Sequence, residues 1–123
     1  MSVALILFAH GARDPEWAAP MRRVQAAIQA SLPGQSVALA FLEFMAPTLS
    51  DCVAQQIAAG ARRVVIVPMF IAQGGHLKKE VPLLLADLRS TYPQVEFSLS
   101  GPIGEQERVI QAMAGSVLEI AGL

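Results

Sequence analysis

Four short runs rich in Val, Ile, Leu and Phe alternate with four longer segments of helical period, and no Gly/Ser linker or low-complexity tract interrupts them. The runs are Val3 to Ala9, Ser36 to Leu42, Arg63 to Val67 and Val95 to Leu99. The first and third are almost continuously apolar, as expected of parallel strands covered on both faces. Right-handed crossovers leave few topologies for such a pattern. The expected fold is α/β: one domain over residues 1–123, a four-stranded parallel sheet in the order 2-1-3-4, and helices on both faces. In that order strands 1 and 3 are neighbours whose helices leave to opposite faces, so a crevice opens beyond their carboxyl ends.

The helices have readable punctuation. Trp17, Met21, Val24 and Ile28 form one stripe at steps of four, three and four. Asp14-Pro15-Glu16 supplies a cap, a proline where a missing N–H is no loss, and an acid at the positive end of the dipole, while Pro33-Gly34 stops the helix. A second helix is expected from Thr48 to Ala59, with Leu49, Val53 and Ile57 inward and Gly60 as a left-handed cap. A third places Val81, Leu84, Leu88 and Tyr92 on one side, Pro82 implying an irregular first turn. A fourth, from Glu105 to Ala121, turns Val109, Met113, Val117 and Ile120 inward.

Composition narrows the function classes. Nine Lys and Arg against 10 Asp and Glu give a net charge of -1, which offers no footprint for nucleic acid. The single Cys52 has no internal disulfide partner, which suits a reducing cytoplasm, and is read as an inert buried thiol. The apolar start, Met1 to Leu7, is broken at His10-Gly11-Ala12-Arg13-Asp14, far short of a signal core or membrane span. Hydrophobic residues make up 54% of the chain against about 45–50% in ordinary domains, so either nearly every strand is covered on both faces or a sizeable apolar surface meets a partner or ligand.

The chemistry-bearing residues fall at the strand ends. There are only two histidines: His10 follows strand 1, and His76 lies in the loop after strand 3. Glu43 follows strand 2, an isolated carboxylate between Leu42 and Phe44. Two imidazoles and a carboxylate suit borderline divalent metals such as cobalt, nickel, iron or zinc and leave positions open for substrate. Taken singly, each is better read as a structural or solvated side chain; their joint placement is what points to metal or proton chemistry. Gly11, Gly74 and Gly75 are expected to let backbone approach a ligand. Arg13, Lys78 and Lys79 would meet an anionic ligand, and Phe44, Met45, Met69, Phe70 and Ile71 form an apolar rim for a flat ligand or a second subunit. No G-x-S-x-G elbow, phosphate loop or G-x-G-x-x-G motif is present.

Four blocks then stand out in register: Leu7-Phe8-Ala9-His10-Gly11-Ala12-Arg13-Asp14-Pro15; Phe41-Leu42-Glu43 with Pro47-Thr48-Leu49; Gly60 to Pro68; and Gly74-Gly75-His76-Leu77-Lys78-Lys79-Glu80-Val81-Pro82. Together they resemble the short sirohydrochlorin cobaltochelatases, class II tetrapyrrole chelatases, over nearly the whole chain. The resemblance implies a chelatase-like fold and a lyase activity. A divalent metal, cobalt foremost and nickel or iron as alternatives, would be inserted as substrate into sirohydrochlorin on the way to cobalamin, sirohaem or a nickel tetrapyrrole. It implies metal binding and catalysis at His10, His76 and Glu43, substrate contacts at Arg13, Phe44, Met45, Phe70, Gly75, Lys78 and Lys79, and no permanently bound cofactor. Longer relatives carry two copies of the unit, so a homodimer is implied for a short chain. Ala12 stands where the family usually has Ser. That departure keeps a second reading open, a domain that binds tetrapyrrole or metal without turnover.

Overall fold

The computed structural model describes residues 2–123. Strand β1 (Val3–Ala9) leads through a tight turn, Pro15–Ala18, into α1 (Ala19–Ser31) and β2 (Ser36–Phe41). Then come α2 (Leu49–Ala58), β3 (Arg63–Pro68), α3 (Gly75–Thr91) and β4 (Glu96–Leu99). A second tight turn, Ile103–Glu105, precedes α4 (Glu107–Ala121). All pairings are parallel and the order is β2-β1-β3-β4, as the apolar runs require. Ala9 pairs with Phe41 and Phe8 with Pro68, so three strand ends lie side by side.

The caps work as their chemistry dictates. Asp14 Oδ1 accepts from the Glu16 N–H at 3.0 Å, and Thr48 Oγ1 accepts from the Asp51 N–H at 3.2 Å. Asp14 caps the Pro15–Ala18 turn rather than α1 itself. Gly60 follows α2 with φ +105°, a conformation that glycine reaches without steric penalty.

The strands present alternate residues to two cores. Ala4, Ile6, Phe8, Ala40, Val64 and Ile66 face Leu49, Cys52 and Val53 of α2 and Val81, Leu85 and Leu88 of α3. Leu7, Ala9, Val37, Leu39 and Phe41 face the other way, toward Met21, Val24 and Ile28 of α1. Burial holds the Cys52 thiol up at about 11.

Two expectations are corrected. The third helix begins at Gly75, not beside Val81, so Pro82 lies well inside α3 and His76 is on the helix rather than in a loop. The fourth helix does not turn its stripe onto the sheet: α4 has no buried residue, and Val117 and Ile120 are 63% and 87% exposed. One sheet face thus carries two packed helices and the other carries α1 with an open groove beside it.

Candidate functional site

The site grows from the carboxyl ends of β1, β2 and β3. After Ala9 the ladder continues for one step: Leu42 N–H donates to the Ala9 carbonyl at 2.9 Å and Glu43 N–H to the His10 carbonyl at 3.1 Å. On the other side Met69 N–H donates to the Phe8 carbonyl at 2.8 Å. These bonds hold the Phe8–His10 stretch between the segments that follow β2 and β3. Gly11 has φ +92°, and a Cβ there would stand 1.9 Å from the Glu43 carbonyl oxygen. Only glycine allows the two segments to approach so closely.

The consequence is a direct pair: His10 Nε2 and Glu43 Oε1 are 3.1 Å apart, each side chain about half exposed. An ionised carboxylate only accepts, so this contact makes Nε2 the donor, and in the neutral imidazole it leaves the Nδ1 lone pair free. The ring also meets Phe70 edge-on, with centroids 6.3 Å apart at 71°. Phe70 is 7% exposed and packs on Phe8, so it is a wall beneath the imidazole rather than a member of an open rim.

His76 sits on the first turn of α3 and is paired within its own helix: Nε2 lies 2.8 Å from Glu80 Oε2. The sequence reading passed over Glu80. Its signal is the His-x-x-x-Glu spacing, which brings the two side chains together only on a helix, and α3 begins early enough, at Gly75, to include both. His76 remains highly exposed, and no group of three or more His, Cys, Asp and Glu side chains forms a closed metal site among the described residues. The predicted set of His10, Glu43 and His76 is therefore not gathered into one cluster: His10 pairs with Glu43, and His76 pairs with Glu80 on its own helix.

The remaining candidates divide. Arg13 lies over the Phe44 ring at 5.0 Å, and Phe44 is held at φ 66°. Lys78 and Lys79 are exposed on the first turns of α3, and neither they nor Arg13 enters an ion pair among the described residues. Gly74 caps α3 and Gly75 opens it, but both have open space around them and ordinary φ, so only Gly11 makes a close approach. Met45 and Met69 are half-buried toward the α1 face, whereas Phe44 and Ile71 are exposed.

Residues 4–120 match the CbiX family. The chain belongs to this family. A sirohydrochlorin cobaltochelatase of Saccharolobus islandicus is 29% identical over 123 residues, 95% of this chain and 94% of its own. One from Methanococcus aeolicus is 34% identical over 82 residues, 67% of this chain and 57% of its own. Among solved structures, a CbiX protein from Marinobacter aquaeolei superposes with a TM-score of 0.87 at 29% identity, covering 98% of both chains. The sirohydrochlorin chelatase SirB of Bacillus subtilis subspecies spizizenii, in complex with cobalt, superposes with a TM-score of 0.82 at 26% identity, covering 98% of this chain and 52% of that one. In this member of the CbiX family the strand ends and α3 thus hold two separate imidazole–carboxylate pairs, His10 with Glu43 and His76 with Glu80, and one cation over an aromatic ring, Arg13 over Phe44.

Proposed function

We propose that this CbiX protein is a sirohydrochlorin metal chelatase that inserts a divalent ion, cobalt foremost, into the tetrapyrrole. The observation that carries the reading is the His10 and Glu43 pair, locked by main-chain bonds at the joined ends of β1 and β2 in a chain of this family. Support for cobalt comes from the curated names of the relatives and from cobalt in the SirB complex; nickel and iron(II) fit the same donors.

The reaction replaces two pyrrole N–H protons by one divalent ion, releasing two protons. His10 and His76 would offer ring nitrogens to the incoming ion. The carboxylates of Glu43 and Glu80 orient those rings and stabilise positive charge on them as protons pass. Arg13, Lys78 and Lys79 would bond the acidic edges of the macrocycle, with Phe44 beneath Arg13 offering an apolar face.

A two-copy assembly completes this reading. The fold that fills this chain accounts for 52% of SirB, so a second copy would restore comparable size. The chain would act in the cytoplasm, in keeping with its one buried free thiol; no helix among the described residues is long and apolar enough to cross a membrane.

The test is to follow the absorption spectrum of sirohydrochlorin with cobalt, nickel or iron(II), with and without protein. Faster insertion of at least one ion is expected. Tight binding of tetrapyrrole with no acceleration would identify a carrier instead.

A further inference from the structure

Two side-chain contacts join the segments that leave β1 and β2. His10 with Glu43 is the first; Arg13 with Phe44 is the second, its guanidinium carbon 5.0 Å from the ring centroid. One stretch of backbone sets both. Glu43 N–H donates to the His10 carbonyl, Gly11 turns at φ +92° against the Glu43 carbonyl, and Phe44 is itself held at φ 66°. A bulky side chain is uncommon in that left-handed region and stays there only where its surroundings impose it. What the turn holds in place is an apolar ring that remains 58% exposed.

Arg13 is exposed as well and enters no ion pair among the described residues, so the Phe44 ring is the contact that holds its charged end. Such a contact in water is weak, about a 2- to 5-fold factor in an equilibrium. A guanidinium on a carboxylate does better, because its bonds are charge-assisted and often paired. A flat ligand cannot stack on the face that Arg13 covers until the guanidinium leaves it.

We infer that the Arg13 and Phe44 pair selects for acid groups on the macrocycle and refuses neutral ones. A ring bearing carboxylates draws the guanidinium off Phe44, gives it a stronger partner and stacks on the phenyl face it has left. A neutral ring of the same shape drives the same cation into water and returns nothing. Selectivity then comes from a penalty on the wrong ligand as well as from attraction for the right one. Lys78 and Lys79 attract without this penalty, since no aromatic ring lies beneath either. The inference rests on the tetrapyrrole reading above and adds which feature of the macrocycle Arg13 reads.

The test measures binding rather than insertion. Wild type, Arg13→Ala and Lys78→Ala are titrated with metal-free sirohydrochlorin and with its derivative whose carboxyl groups are converted to neutral amides, following absorption. Arg13→Ala should bind the acid about 10-fold more weakly. It should bind the amide about 2- to 5-fold more tightly, a gain that loss of an attractive contact alone does not give. Lys78→Ala should weaken binding of the acid with no gain on the amide. Adding Phe44→Ala to Arg13→Ala should abolish the gain, because the uncovered face is then absent. Both side chains are exposed, so the circular dichroism spectrum should persist in every variant. Amide binding no tighter in Arg13→Ala than in wild type would overturn the inference, as would a gain that survives Phe44→Ala. A wild type that binds neither macrocycle would defeat the tetrapyrrole reading itself, an outcome separable from one in which the acid binds and the gain on the amide is missing.

Discussion

His10 Nε2 lies 3.1 Å from Glu43 Oε1, which ties the end of β1 to the segment leaving β2 through a side chain as well as through main-chain bonds. If the carboxylate orients the ring, Glu43→Gln should slow metal insertion by about 10–100-fold, the usual effect of losing a ligand's hydrogen-bonding partner. His10→Ala should cost more, because it removes a donor to the ion. Both side chains are about half exposed, so thermal melts should move little. An insertion rate unchanged in Glu43→Gln would show that the pair is structural.

Gly11→Ala should destabilise the fold by about 3 kcal/mol or more, since it adds strain at φ +92° to a collision with the Glu43 carbonyl. Gly60→Ala is the natural comparison. Its φ is +105° but nothing lies within 4 Å of the added carbon, so about 1 kcal/mol is expected. Chemical denaturation of the two variants separates backbone strain from the contact that sets His10 beside Glu43. Equal losses would mean that the contact relaxes without cost.

Arg13, Lys78 and Lys79 are the cations placed to meet an acidic macrocycle. Replacing each by Ala should raise KM for sirohydrochlorin by about 10-fold, the order of one charge-assisted bond, with a smaller effect on kcat. The same variants should flatten the dependence of KM on salt, because exposed charges are screened. Steady-state kinetics at two ionic strengths would settle this, and unchanged KM in all three would remove these residues from the site.

Cys52 gives a pH dependence whose direction is fixed by burial. The folded protein holds the thiol at about 11 against an ordinary 9.0, so the folded state binds its proton more tightly than the unfolded chain does. The stability tied to this proton is complete below about pH 9 and is lost as pH rises toward 11, up to about 3 kcal/mol. Denaturation of wild type and Cys52→Ala across that range should show the variant losing less stability on the alkaline side. Thiol reagents at pH 8 should label Cys52 only as the chain unfolds.

The sheet order and all four strands were legible because parallel strands between helices read as nearly continuous apolar runs, and Val3–Ala9 and Arg63–Pro68 are such runs, although Arg63–Pro68 alternates buried and half-buried residues beside the open groove. The pairing of His10 with Glu43 was foreseeable as two strand ends made neighbours by topology. Glu80 was not seen, since its partnership with His76 depends on where α3 begins, and Gly74-Gly75 reads as loop although it opens the helix. The apolar stripe of α4 was read as facing inward and is exposed instead, because periodicity tells which residues share a face and says nothing about what that face meets.

The central claim is tested most directly by the absorption spectrum of sirohydrochlorin mixed with cobalt, nickel and iron(II) in competition, with wild type, His10→Ala and His76→Ala. The account predicts insertion well above the protein-free rate for wild type, cobalt leading, and a fall of at least 100-fold in His10→Ala, with His76→Ala also impaired. A wild-type rate equal to that without protein for all three metals would contradict it.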